Sequence, residues 1–221
     1  MPRKSAAAGE DDSPEEYIRA GILDLYKRRL APQNLNLVVA QAARLRVGTA
    51  FCTGYPVEDA HLPAFGQLDN VTVLGLMQTR VMGPGIPGLA QMPRLEVLDL
   101  TACPLTGESM DAFDRFSTLR VLRLSGTTVP TESLRGLAKC RVRELELDEI
   151  PVTDDDLEFI LRLPQIQHLS ISGKRLTTGV ITLLQRFSRP LSVKVLDSAH
   201  LQDAIPIEER VTKDGLSLML I

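Results

Sequence analysis

Tryptophan is absent, and three tyrosines and six phenylalanines bring aromatics to only 4% of the 221 residues. A surface that stacks successive bases needs rings along its path, so a nucleic-acid platform of that kind is excluded. Cysteine is scarce as well. Cys52, Cys103 and Cys140 stand far apart, with no C-x-x-C and no histidine at ligand spacing, which excludes a zinc site and a disulfide framework and points to a reducing compartment. No segment approaches the roughly 20 apolar residues of a membrane span. Met1 to Asp12 lacks the apolar run of a secretory signal. A dominant charge is missing too: 25 Lys and Arg against 28 Asp and Glu leave −3, so no global field draws the chain to nucleic acid or anionic lipid. The expectation is an intracellular, most simply cytoplasmic, soluble protein with no nucleic-acid partner and no membrane span.

What is present is apolar side chain in quantity, 44% against 24% charged, which is the composition of a folded protein with a sizeable core. Residues 1–12 are small, charged and aperiodic and read as a mobile tail. Ser13-Pro14-Glu15-Glu16 carries the signature of a helix start, with Tyr17, Ile18, Ile22, Leu25, Tyr26 and Leu30 at helical spacing and Lys27-Arg28-Arg29 closing the last turn. Pro32 ends that helix. Asn34 is placed to cap a second one through Leu35, Val38, Ala42 and Leu45.

From Val47 onward one period of 24 residues dominates. Leu95, Leu98, Leu100, Leu105, Met110, Phe113 and Phe116 recur as Leu119, Leu122, Leu124, Val129, Leu134, Leu137 and Cys140. Earlier copies run from Val71 to Met92 and, more worn, from Val47 to Leu68; later ones run from Val142 to Leu163 and from Ile166 to Phe187. The unit starting at Leu119 is one residue short. Beyond Phe187, Leu191, Leu196 and Leu201 keep the phase but put Lys194 in a core slot, which predicts a register change at the start of a cap. Lys213-Asp214-Gly215 between Arg210-Val211 and the alternating Leu216, Leu218 and Leu220 predicts a closing hairpin.

The unit L-x-x-L-x-L followed by a helical stretch resembles the leucine-rich repeat family, nearest its cysteine-containing and ribonuclease-inhibitor-like subtypes, over about Val47 to Phe187. The resemblance implies an α/β solenoid, a short right-handed horseshoe with a parallel concave sheet and short outer helices. A helical N-terminal cap and a β C-terminal cap close it. The expected divisions are 1–12 tail, 13–46 N-terminal cap, 47–189 about six repeats, and 190–221 partial repeat and cap. The family's Asn or Cys slot reads Tyr55, Thr79, Cys103, Thr127, Ile150 and Lys174 here, so the usual polar ladder is mostly absent. Thr106, Thr131, Thr153 and Thr177 follow the strands where they can cap the outer helices.

Residues between inward leucines on a strand point to the opposite face. They form three columns: Thr49, Val73, Val97, Val121, Glu144 and His168; Phe51, Gly75, Asp99, Arg123, Glu146 and Ser170; Thr53, Met77, Thr101, Ser125, Asp148 and Ser172. Phe51, Val73, Met77, Val97 and Val121 would make an apolar stripe, which marks a contact surface or reflects valine's strand propensity alone. Glu144, Glu146, Asp148 and Glu149, with Asp154, Asp155, Asp156 and Glu158 at the next bend, would steer a basic patch on a partner, unless the bend merely stabilises a helix N-terminus.

Nothing converges for catalysis. His61, His168 and His200 are isolated, and no serine or cysteine elbow precedes a helix. Gly83-Pro84-Gly85-Ile86-Pro87-Gly88 lacks the Lys and Ser/Thr of a phosphate loop, and the aspartate triplet lacks the alternation of a calcium loop. The reading is a non-enzymatic protein-binding module without metal or cofactor, an adaptor or a subunit of a hetero-complex. Its partner residues are Phe51, Val73, Met77, Val97, Asp99, Val121, Arg123, Glu144, Glu146, Asp148 and His168. Two alternatives are an F-box-like substrate receptor of a ubiquitin ligase, using Tyr17, Ile18 and Leu25, and a GTPase regulator, for which no edge Arg or Asn is singled out.

Overall fold

The computed structural model describes residues 14–26, 30–108, 110–187, 189–204 and 216–221. The expected tail, Ser13, Lys27-Arg28-Arg29 and the segment from Arg210 to Gly215 lie outside the described residues. Among the described residues ten strands form one open sheet in strict chain order. They are β1 Ile18–Arg19, β2 Ile22–Asp24, β3 Thr49–Phe51, β4 Val73–Gly75, β5 Val97–Asp99, β6 Val121–Arg123, β7 Glu144–Leu147, β8 His168–Ser172, β9 Leu191–Leu196 and β10 Leu216–Leu220. All neighbours from β2 onward pair in parallel; β1 turns back antiparallel on β2.

The period sets this register. Leu74, Leu98, Leu122, Leu145 and Leu169 are mutual partners along the ladder, and all are buried. Behind the strands the chain returns through short helical turns: Asp59–His61 with α2 Leu62–Phe65, α3 Ile86–Leu89, 3-10 turns at Met110–Arg115 and Thr131–Leu137, α4 Asp154–Ile160 and α5 Gly179–Gln185. The leucine and phenylalanine slots of these turns close one continuous core. A coil buries its apolar face only against its neighbours, so stacking supplies the stability.

Two expectations are corrected. The first concerns the helix from Ser13 to Leu30, which is replaced by a 3-10 turn at Pro14–Tyr17 and the β1–β2 pair. Ala20 and Gly21 take φ of 50° and 77°, a left-handed pair that turns the chain and ends any helix. Burial then alternates with period two. Leu23 and Leu25 are fully buried while Ile22 is 39% exposed. Leu23 pairs with Ala50, so this is an extra coil, 27 residues before the next instead of 24. Its outer helix is α1, Leu35–Arg44, with Leu35 and Val38 buried as Leu62 and Phe65 are. Asn34 precedes α1 without making a side-chain cap.

The second correction is at the other end. Val193 and Val195 pair with Leu169 and Ile171, so the period continues unchanged and Lys194 lies exposed opposite Ser170. The first arm and the turn of the expected closing hairpin lie outside the described residues; its second arm, β10, follows α6, Ala199–Ala204, and runs parallel to β9. Leu216 and Leu218 are buried and Ser217 and Met219 exposed, as the alternation requires.

Six strands are left through the same left-handed corner, and Gly173 after β8 is an exception to it. Gly54, Gln78, Ala102, Gly126, Glu149 and Asp197 have φ between 52° and 68°. The conformation lets the corner N–H continue the ladder, Gln78 to Thr101 O and Ala102 to Ser125 O, both at 2.8 Å. The polar slot after it is uneven. Thr79 Oγ1 meets Cys103 Sγ at 3.3 Å, the thiol reaches Leu76 O at 3.0 Å, and Tyr55 Oη donates to Leu30 O at 3.1 Å. Thr127 Oγ1 is the buried side-chain oxygen without a partner among the described residues.

Burial raises the pKa of all three thiols, Cys140 to about 11 and Cys52 further, with the nearby Asp24 charge adding to the effect at Cys52. Such thiols are inert core.

Two outcomes follow from the strained corner and the buried thiols. Ala102 is exposed and holds φ of 56°, so Ala102→Gly should stabilise the fold by about 1 kcal/mol in urea unfolding; a loss of stability would contradict the corner. The unfolded chain releases its thiol protons near about pH 8.5 while the folded chain keeps them, so stability falls as pH rises above that value. The urea midpoint should decline through about pH 11 and decline less steeply in Cys140→Ala; equal slopes would contradict this.

Candidate functional site

The register turns the sequence columns into rows on the open face of the sheet. Thr49, Val73, Val97, Val121, Glu144 and His168 are successive ladder partners, and so are Phe51, Gly75, Asp99, Arg123, Glu146 and Ser170. Val73, Val97 and Val121 are half-buried by one another, and Phe51, 38% exposed, lies across Gly75. A Cβ on Gly75 would stand 2.8 Å from the Phe51 ring, so glycine is what lets the ring lie flat there. Met77 is half-buried beside this stripe. The extra coil lengthens it: Ile22 pairs with Thr49 and so belongs to the valine row. Sequence reasoning placed Ile22 on a helix and missed it; the signal was Leu23-x-Leu25, the same spacing as Ala50-x-Cys52.

Charge begins where the valines stop. Arg123 Nε donates to Glu146 Oε1 at 2.9 Å, and its other nitrogens lie 3.8 Å from Glu144 and 3.9 Å from Asp99. The Glu146 hydrogen bond holds the guanidinium pKa above its ordinary value. Asp99 is steadied by the Thr101 N–H at 3.0 Å, and Asp148 accepts from Ser170 Oγ at 2.6 Å. One guanidinium thus answers three carboxylates and leaves Asp148 beyond its reach. A depression of about 360 Å³ opens between Glu144, Glu146 and Asp148 and the side chains of His168, Ser192 and Lys194. His168 is exposed on its wall. Ser172, expected in the third column, is instead buried.

The remaining candidates are absorbed by architecture. Asp156 accepts from the Thr153 N–H and hydroxyl, closing a capping box on α4, and Asp154 accepts from the Thr177 N–H and hydroxyl one coil on. Thr106 donates to Met82 O, and Thr131 makes no side-chain cap. The glycine-rich loop does gather backbone N–H groups, but Asp59 occupies them: its carboxylate accepts from Met82, Gly83 and Gly85 at 2.7–2.9 Å. His61 Nδ1 accepts from the Glu58 N–H, and His200 Nε2 lies 3.0 Å from Leu176 O. Tyr17 and Leu25, required by the F-box alternative, are buried in the end of the solenoid. Among the described residues no helix is long and apolar enough to cross a membrane.

No protein-family model matches the chain, and no curated protein does. Among solved structures it is similar to an internalin C2 from Listeria monocytogenes, at 14% identity over 84% of each chain with a TM-score of 0.48. A plant ice-binding protein shows 19% identity over 75% of this chain and 53% of that one, TM-score 0.47. A plant peptide hormone receptor, RGFR1 in complex with RGF2, shows 18% identity over 72% of this chain and 26% of the receptor, TM-score 0.41. The fold stands on the molecule's own geometry. The 24-residue unit, the buried leucine columns and the in-register parallel ladder make this chain a leucine-rich repeat solenoid.

Proposed function

We propose that the protein is a non-enzymatic interaction module, an adaptor or subunit of an intracellular hetero-complex, that grips a protein partner on the open face of its sheet. The observation that carries this reading is the division of that face. Ile22, Phe51, Val73, Val97 and Val121 present an apolar strip, crossed by Thr49 between Ile22 and Val73, and Glu144, Glu146 and Asp148 continue it as an acidic one. Contiguous exposed apolar surface beside fixed charge is the anatomy of a recognition patch with a dry centre and a steering rim. A partner that offers apolar side chains to the first part and a basic group to the second would be bound in one orientation.

The thiol chemistry supports an intracellular setting, since three buried cysteines stay unpaired. The chain's own side chains on this face offer attraction and shape to a partner.

Val97 and Val121 are half-buried on the open face and outside the core, so substituting them displaces no core side chain. Affinity capture from the native cell should recover a stoichiometric partner with the wild type and lose it with Val97→Glu, Val121→Glu, checked by circular dichroism to be folded. Survival of the same partners on the double variant would refute the open-face reading.

A further inference from the structure

A second long surface lies on the rim of the sheet, where each coil returns from its outer turn to the next strand. Its backbone is stacked coil on coil. Arg120 donates its N–H to Glu96 O at 2.8 Å, Arg143 to Arg120 O at 2.7 Å and Gln167 to Arg143 O at 2.8 Å. Residues at one offset from the paired strands therefore form rows along the solenoid. Three places before Val97, Val121, Glu144, His168 and Ser192, which are successive partners, stand Arg94, Thr118, Arg141, Gln165 and Arg189. Arginine alternates with a shorter polar side chain. Each arginine is two coils from the next, which at the spacing of paired strands is about 9.6 Å.

Arg120 and Arg143 stand beside this row, and Lys139 and Arg186 behind it. These four, with Arg94 and Arg141, are exposed, and among the described residues none of the six has an ion-pair partner. Arg189 is held in place. It donates to the carbonyl oxygens of Leu163 and Pro164 and lies over the Phe187 ring at 5.0 Å. Between Arg143 and Arg189 a depression of about 280 Å³ has Pro164, Ile166 and Pro190 in its lining. A chain whose formal charge is −3 thus concentrates unpaired cations along one edge, while Asp99, Glu144, Glu146 and Asp148 stand on the sheet face.

We infer that this rim docks an extended acidic protein segment with Asp or Glu at every third position, its carboxylates meeting Arg94, Arg141 and Arg189 in turn. A segment in the polyproline II conformation returns to the same side every three residues, or about 9.3 Å, which matches the arginine step. The planar guanidinium forks of Arg94 and Arg141 suit carboxylates, and Arg189, whose terminal nitrogens donate to the Leu163 and Pro164 oxygens, adds its charge at the end of the row. The observations favour an acidic peptide over a nucleic acid. The row carries no free ring for stacking, since Phe187 lies under Arg189. The acids of the sheet face repel a long polyanion that overruns the rim more than a short segment confined to it.

The rim is separate from the open face and stands or falls alone. The test is fluorescence anisotropy of a labelled peptide of Glu-Pro-Ser repeats against the full chain at low salt, beside labelled oligothymidylate. The peptide should bind, and binding should weaken at least about tenfold in Arg141→Glu, Arg143→Glu and measurably in the single variant Arg94→Glu. It should be unchanged in Arg80→Glu, Arg175→Glu on the opposite rim, with every variant folded by circular dichroism. Absence of peptide binding, equal loss in both double variants, or tighter binding of the oligothymidylate would overturn the assignment.

Discussion

Everything in this molecule depends on the parallel ladder between successive coils. A strand of three residues cannot hold itself, and a turn of four residues buries little; both persist because the next coil repeats them in register. The left-handed corner shows how strict the constraint is. Gln78 and Ala102 accept left-handed backbone at a cost of about 1–2 kcal/mol each, and the gain is a ladder hydrogen bond that continues past the end of the strand. Ladder and leucine columns leave the alternate strand residues with no structural duty. Those residues, from Ile22 to His168, are the ones free to recognise something.

The same constraint explains what could be read from the sequence. Leu95-x-x-Leu98-x-Leu100 states both the strand and the direction of its side chains, so the open-face columns were legible before any coordinate. The ends were not. Leu23-x-Leu25 belongs to the pattern, but three extra residues before β3 break the period, and Tyr17, Ile18, Ile22 and Leu25 imitate a helical face. What decides between them is the left-handed pair Ala20-Gly21 and the open edge of β3, which needs a covering strand; the second is a tertiary fact. Lys194 was misplaced for a simpler reason. Leu191 and Leu196 suggested a one-residue slip, whereas Val193 and Val195 were the true continuation.

Side-chain bonds between coils were invisible in one dimension, since they join residues 22 to 26 positions apart. Asp59 is the instructive case. The loop Gly83-Pro84-Gly85 looks like a cradle for an anion, and it is one, but the anion is the carboxylate of the preceding coil. Composition hid the rim in the same way. A net charge of −3 averages over acids on the sheet face and arginines on one edge, and only the register separates them.

Arg123 is where the two halves of the open face meet. Its contacts to Asp99, Glu144 and Glu146 tie three strands together and set a cation among acids at the end of the valine row. An apolar strip alone would bind many things weakly; the fixed charges beside it supply orientation and rejection. The most direct measurement of this account is carboxyl footprinting of the chain with and without its captured partner. Protection of Glu144, Glu146 and Asp148, with Asp155 and Glu158 on the outer helix labelled as before, is what the account predicts. Unchanged labelling of the sheet face with protection on the outer helix would contradict it.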